Sequence, residues 1–199
     1  TYKVESYEKY NLFHKNSQND SGQIIHCVYA GTLDPRKGGA IAAATAAEFL
    51  PSNYHVHILG FGSEKDINKM KDLIEKISLK SRAKITYDGV LSGEDYIRFI
   101  QSCNIGLSTQ DPNEAFNGTS FPSKILSYMA NGLRVVSIRI PAIEMSDIGH
   151  MIFYYDEQTP EEIAKAIISI DLNDNYDSRE CIRQLAHQFE CDMKNLLAN

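Results

Sequence analysis

Six short apolar runs, each trailed by a stretch with helical spacing, limit what this chain can fold into more than any other feature. They are IIHCVYA (24–30), YHVHILG (54–60), AKITYDG (83–89), NIGLS (104–108), LRVVSIRI (133–140) and MIFYY (151–155). The run AIAAATAAEFL (40–50) is dominated by the strongest helix former. Ile67, Met70, Leu73, Ile74 and Ile77 share one helical face, with Ser63 placed as its cap. Ser92 and Asp95 form a variant capping box ahead of Tyr96, Ile97, Phe99 and Ile100. KILSYMANG (124–132) reads as a helix closed by Gly132, and residues 141–150 as a short helical turn. Thr159-Pro160-Glu161-Glu162 joins a cap, a first-turn proline and a third-position glutamate. Helices are expected around 160–170 and 177–197. This alternation predicts an α/β fold: a three-layer αβα Rossmann-like domain with a mostly parallel six-stranded sheet.

Open sheets of this kind bind ligands outside the carboxyl ends of their strands. Four connections fall there: residues 31–39, 60–63, 89–92 and 108–123. In GTLDPRKGG, Gly31, Gly38 and Gly39 allow close backbone approach, while Arg36 and Lys37 add positive charge beside a helix start. The set suits a diphosphate, and equally a solvated turn with two surface cations. It is neither a G-x-G-x-x-G fingerprint nor a P-loop, which argues against a redox Rossmann domain. Gly60 and Gly62 permit close approach or serve packing. Val90 and Leu91 can pack on a nucleobase, and Tyr87 reads as a core aromatic.

The stretch FNGTSFPSKILSYMANGLRVVS (116–137) is the most informative. Asn117-Gly118 is a turn pair, Thr119 and Ser120 stand near a helix cap, and Pro122 suits a first turn. Lys124 puts a cation in that first turn, against the helix dipole. A bound phosphate removes the conflict, since it gains from the ammonium and from the free amides together. A snorkelling surface lysine is the alternative. Ser123 and Ser127 offer hydroxyls to ribose or sugar, whereas Phe116, Phe121 and Met129 read as packing residues.

Composition narrows the classes further. Lys and Arg number 20 against 26 Asp and Glu, a formal charge of −6 with no long basic run. That disfavours a nucleic-acid partner and leaves room for a small anion pocket. Cys27, Cys103, Cys181 and Cys191 lack C-x-x-C spacing and read as structural thiols. His55 and His57 share a strand face, but no third ligand stands at suitable spacing, so neither a metal nor another cofactor is expected. The polar start TYKVESYEKYN shows no signal peptide, and no run is of membrane-spanning length. Lack of an initiator Met points to an excised piece. The expected division is a leading segment and linker at 1–22, a Rossmann-like ligand-binding domain at 23–175, and a C-terminal helix at 176–199 packed on or beyond it.

Over residues 23–170 the chain resembles the C-terminal, donor-binding domain of a retaining GT-B glycosyltransferase of the glycogen-synthase-like group. The residues carrying the likeness are the glycine loop, "ILGFG", "ITYDGVLSGEDYIRFIQSCNIGLS" and "FPSKILSYMANGLRVVS". Lys37 matches the family lysine that holds the donor diphosphate, and Thr32 occupies the usual arginine position beside Arg36. Two family glutamates align with Thr119 and Ser127, so both carboxylates are replaced, and Arg134 stands where proline is common. Some polysaccharide-building relatives have a proline-serine-lysine segment like Pro122-Ser123-Lys124. The resemblance implies transfer from a nucleoside diphosphate sugar to an acceptor hydroxyl. Arg36, Lys37 and Lys124 are then expected to stabilise the leaving diphosphate, with the other loop residues named above as binding residues. A carbohydrate or lipid-linked acceptor would dock through a missing N-terminal domain, in a cytoplasmic enzyme peripheral to the membrane. A non-catalytic nucleotide-sugar-binding or assembly module, and a nucleotide-sugar epimerase of the same fold, are the other readings.

Overall fold

The computed structural model describes residues 23–112 and 121–197. Strand β1 (Ile25–Thr32) leads through a 3-10 turn (Pro35–Lys37) to helix α1 (Gly39–Thr45) and a second 3-10 turn (Ala46–Phe49). Then follow β2 (Tyr54–Phe61), α2 (Glu64–Ser78), β3 (Lys84–Gly89), α3 (Gly93–Gln101) and β4 (Ile105–Ser108). Helix α4 (Ser123–Ala130), β5 (Arg134–Ile138), a one-turn α5 (Pro141–Glu144) and a 3-10 turn (Gly149–Met151) come next. The chain continues with β6 (Ile152–Tyr155), α6 (Pro160–Ile168) and α7 (Ser178–Leu197).

All six expected strands form one sheet, ordered β3-β2-β1-β4-β5-β6, and every neighbouring pair is parallel. Strands β4 and β5 are buried at every position and β2 everywhere except Phe61. Such strands read as continuous apolar runs because helices cover both faces. On one side α1 touches both α2 and α6. Ala40, Ala43, Ala44, Ala46 and Ala47 are all buried, so the small side chains bring this layer close to the sheet. On the other side α4 contacts β4, β5 and α7. Its Tyr128 lies flat against Gly106, where a Cβ would fall 2.4 Å from the ring. The buried Tyr128 hydroxyl accepts a 2.8 Å bond from the Ala30 N–H of β1.

Local signals mostly act as expected. The Ser63 and Thr159 hydroxyls accept from the Asp66 and Glu162 amides at 3.2 and 3.3 Å. Helix α4 ends at Asn131, and Gly132 follows at φ +85. Leu133 N–H bonds Tyr128 C=O and Gly132 N–H bonds Met129 C=O, a Schellman motif. Two expectations need correction. The 40–50 helix divides, because Leu50 precedes Pro51 and is held extended, so the last turn tightens to 3-10. Ser92 makes no side-chain cap bond: Gly93, at φ +55, turns the chain into α3 instead.

Arg134, the departure from the expected proline, is buried beneath the chain that links α6 to α7. Its guanidinium pairs with Asp174, donates to Leu172 C=O at 3.2 Å and lies 5.0 Å from the Tyr176 ring centre. The four cysteines are free thiols. Burial pushes Cys27 up strongly and Cys103 to about 12, so neither forms a thiolate at neutral pH. No described helix is long and apolar enough to cross a membrane.

Candidate functional site at the carboxyl rim of the sheet

The strand order reverses between β1 and β4, and the connections leaving these two strands flank the crevice there. Three separate loops close a cavity of about 220 Å³ beside it, lined by Gly31, Gly60, Phe61, Val90, Leu91 and Tyr96. Four of these residues, Gly31, Gly60, Val90 and Leu91, were expected at a site from their positions after β1, β2 and β3. Phe61 and Val90 are 63% and 62% exposed, large apolar side chains left facing a cavity mouth. An apolar ring system fits such walls, with few polar contacts to orient it.

Lys124 reaches this rim from the α4 start. Its ammonium lies 4.1 Å from the Tyr29 ring centre, and 3.1 Å from the point where a Cβ on Gly31 would stand. Any larger residue at 31 would therefore crowd the ammonium. Desolvation lowers the Lys124 pKa from 10.5 to about 8. A lysine held this way is charged at pH 7 but poorly solvated, which favours an anionic partner. The α4 start has Pro122 at the cap position, a residue that offers the helix amides no side-chain acceptor. Ser123 is exposed at that end, whereas Ser127 is buried one turn on.

The glycine loop is more constrained than its sequence implies. Asp34 caps the Pro35–Lys37 turn, accepting from the Arg36 amide at 3.0 Å and from its guanidinium at 2.6 Å. Those bonds hold the Asp34 carboxyl down at about 2. Arg36 thus points along its own loop with its charge offset, while Lys37 is exposed. Thr32 braces the same turn, its hydroxyl accepting from Asp34 N–H at 3.2 Å. Gly38, at φ +66, needs its left-handed conformation to join the turn to α1. Thr109, after β4, donates to Gly39 C=O at 2.7 Å, so the loops after β1 and β4 are bonded together.

Gly60 and Gly62 serve packing in this geometry. A Cβ on Gly62 would stand 3.2 Å from Leu33 and Asp66, and Gly60 has no room for one at all. Tyr87, read as a core aromatic, is half-buried against the core and also donates to Gly60 C=O at 2.9 Å. Asn117, Gly118, Thr119 and Ser120 lie outside the described residues, as does the 1–22 segment.

Sequence reasoning missed Tyr29, Asp34 and Tyr128. Asp34-Pro35 is a turn signal that does carry the Asp34 role. The two tyrosines have no such signal, since which ring meets which backbone depends on strand order. One expectation is overturned. His55 and His57 do have a third partner of ligand type: His26, on the neighbouring strand, brings a ring nitrogen within 4.8 Å of theirs.

The sequence profile of the family described as glycosyl transferases group 1 matches residues 25–172. No curated protein matches the sequence. Solved structures share the fold at low identity. Sucrose-phosphate synthase from Thermosynechococcus elongatus superposes with a TM-score of 0.65 at 18% identity over 99% of this chain and 50% of its own. Anabaena HepE in complex with UDP and glucose gives 0.64 at 16% identity, over 95% and 55%. The C-terminal domain of the group 1 family protein LpcC from Francisella tularensis gives 0.59 at 14%, over 86% and 91%. The chain therefore spans about half the length of the first two.

Proposed function

The chain belongs to the glycosyl transferases group 1 family, with the GT-B fold, and from that premise we propose that it is the nucleotide-sugar-binding half of a sugar transferase. The observation carrying this reading is the Lys124 ammonium beside Gly31, at the rim of the apolar cavity between Gly60, Val90 and Leu91. The cavity takes the nucleobase, and Lys124 with the α4 amides takes the diphosphate. As the sugar–phosphate bond breaks, negative charge grows on the leaving diphosphate. A desolvated cation and fixed amides stabilise that charge more than they stabilise the bound donor. Lys37 contributes from the exposed loop. Arg36, already matched by Asp34, plays the smaller part.

Transfer to an acceptor hydroxyl with retention at the anomeric carbon follows from the family likeness. In this reading the acceptor docks on a further domain, and the chain alone binds donor without appreciable turnover. HepE, a structural relative, was crystallised with UDP, which makes UDP the first probe. Calorimetry with UDP, GDP and ADP should give saturable binding of at least one, weakened by Lys124→Met and by Leu91→Asp. No saturable binding of any of them at millimolar concentration would overturn the reading. Binding that survives both substitutions would move the site elsewhere.

A further inference from the structure

A cluster of imidazoles lies on the β1–β2 face, below the rim just described. His26 of β1 is in register with His55 of β2, and His57, two residues on, points to the same face. We propose that His26, His55 and His57 bind a divalent transition metal, with Zn2+ as the first candidate and Asp88 as the outer carboxylate that orients the site. Three ring nitrogens, one from each residue, lie within 4.8 Å of one another, and those of His26 and His57 are 2.9 Å apart. Tetrahedral Zn2+ with bonds of about 2.0–2.1 Å needs these nitrogens only a few tenths of an ångström further apart. Imidazole suits Zn2+, Cu2+ and Ni2+, and three such ligands leave one position for water.

Hydrogen bonding has already chosen the tautomers that coordination requires in His57 and His55. Asp88 Oδ2 lies 3.1 Å from His57 Nδ1. The same oxygen accepts from the Thr86 hydroxyl at 2.8 Å, so it acts as an acceptor towards both groups. His57 therefore carries its proton on Nδ1 and turns the Nε2 lone pair towards His26. This carboxylate–histidine pair is the outer arrangement that metal-bound histidines commonly use. Thr86 donates its hydroxyl proton to Asp88 at 2.8 Å, so it can only accept from His55 Nε2, 2.9 Å away. That leaves Nδ1 as the lone-pair nitrogen of His55. When no metal is bound, His26 Nδ1–H donates to His57 Nε2. Coordination moves that proton to His26 Nε2 through solvent, with no net release.

His55 and His57 are buried and His26 is half-buried, so the three ring nitrogens face one another away from bulk water. Lys84, exposed and in register with His55, opposes a cation, and the Asp88 carboxylate supplies the counter-charge. Phe99 of α3 packs edge-on against His57, with centroids 5.1 Å apart, and shields that side from water. His57 stands three residues before Gly60 on β2 and Asp88 two before Val90, so the metal would lie roughly 10 Å below the rim cavity. A metal there ties β1 to β2 and stabilises the sheet without touching the nucleotide.

The test uses the 199-residue chain. Co2+ is titrated as a spectroscopic substitute and Zn2+ by calorimetry, with melting followed by circular dichroism. One tightly bound ion is expected, with visible d–d bands of tetrahedral Co2+ and a higher Tm in Zn2+. His26→Gln should abolish the bands, and Asp88→Asn should weaken affinity by about 10–100-fold. His187→Gln, which removes the exposed His187–Cys191 pair 3.7 Å apart on α7, should change neither. UDP affinity should be the same with and without Zn2+. Absence of bands and of saturable Zn2+ binding overturns the proposal, as does binding unaltered by both His26→Gln and Asp88→Asn. If His26→Gln fails to fold, Asp88→Asn alone decides.

Discussion

Gly31 and Gly60 are paired in the β1–β2 register, and a Cβ on Gly60 would lie 2.3 Å from the Gly31 carbonyl oxygen. Folded proteins do not hold atoms that close, so the two strands must part to admit even a methyl group. Gly60→Ala is expected to destabilise the fold by about 1–3 kcal/mol, the range for overpacking. Gly89 offers a contrast. It has φ +80 but nothing within 4 Å, so Gly89→Ala should cost only about 1 kcal/mol of backbone strain. Urea melts of both variants test the ranking, and equal losses would show that the β1–β2 contact yields freely.

Lys124 sets stability against binding. The unfolded chain keeps the lysine proton up to its ordinary pKa of 10.5, whereas the folded protein releases it near 8. Below pH 8 folding therefore bears the full penalty of desolvating the ammonium. The penalty fades as pH rises from 8 to 10.5, so this group's contribution improves with pH in that window. Lys124→Met should raise stability by about 1–3 kcal/mol at pH 7 and by much less at pH 10. Denaturation of the two proteins at both pH values measures the difference. A variant less stable than the parent at pH 7 would contradict the assignment.

The same ionisation should govern nucleotide affinity. Diphosphate binding should weaken as pH rises through about 8, where the free Lys124 ammonium loses its proton. In Lys124→Met that pH dependence should vanish together with about tenfold or more of the affinity. Calorimetric titrations with UDP across pH 6.5–9.5 at fixed ionic strength would show a flat profile in the parent if another group carries the phosphate.

Arg36 should matter little. Its guanidinium already has Asp34 at 2.6 Å and is fully splayed on the surface. Arg36→Ala is expected to change UDP affinity by less than about threefold, and stability by less than about 1 kcal/mol. An effect as large as that of Lys124→Met would mean that the ligand displaces Asp34.

The buried Arg134 anchors the segment between α6 and α7. Removing Asp174 leaves the guanidinium with carbonyl acceptors, the Tyr176 ring and no carboxylate. Asp174→Ala should cost roughly 1–2 kcal/mol, since Arg134 is buried while Asp174 is 43% exposed and water can partly replace its carboxylate. Cleavage by protease within residues 171–177 should accelerate in step. Unchanged melting and digestion would show that the carbonyls alone satisfy Arg134.

Much of the fold was legible because each element carries its own signal. Runs such as LRVVSIRI read as buried strands, and Thr159-Pro160-Glu161-Glu162 as a helix start, from a handful of adjacent residues. The glycine loop and Val90-Leu91 were also readable as rim residues, since a parallel sheet places every strand end on one side. Ser92 misled, because a capping pattern describes side chains and Gly93 altered the backbone path beneath it. His26 escaped notice because it stands 29 residues before His55 in the chain, and only strand pairing makes them neighbours.

The sequence by itself therefore determined the alternation of elements, their caps and the edge where a ligand would gather, because periodicity and turn chemistry act over a few residues. Tertiary structure alone decided that Lys124 lies against Tyr29 and Gly31, that Arg36 is held by Asp34 in space as well as in sequence, and that three histidines converge. Those outcomes depend on strand order and register, which are settled by how whole faces pack, and no short stretch of residues contains that information.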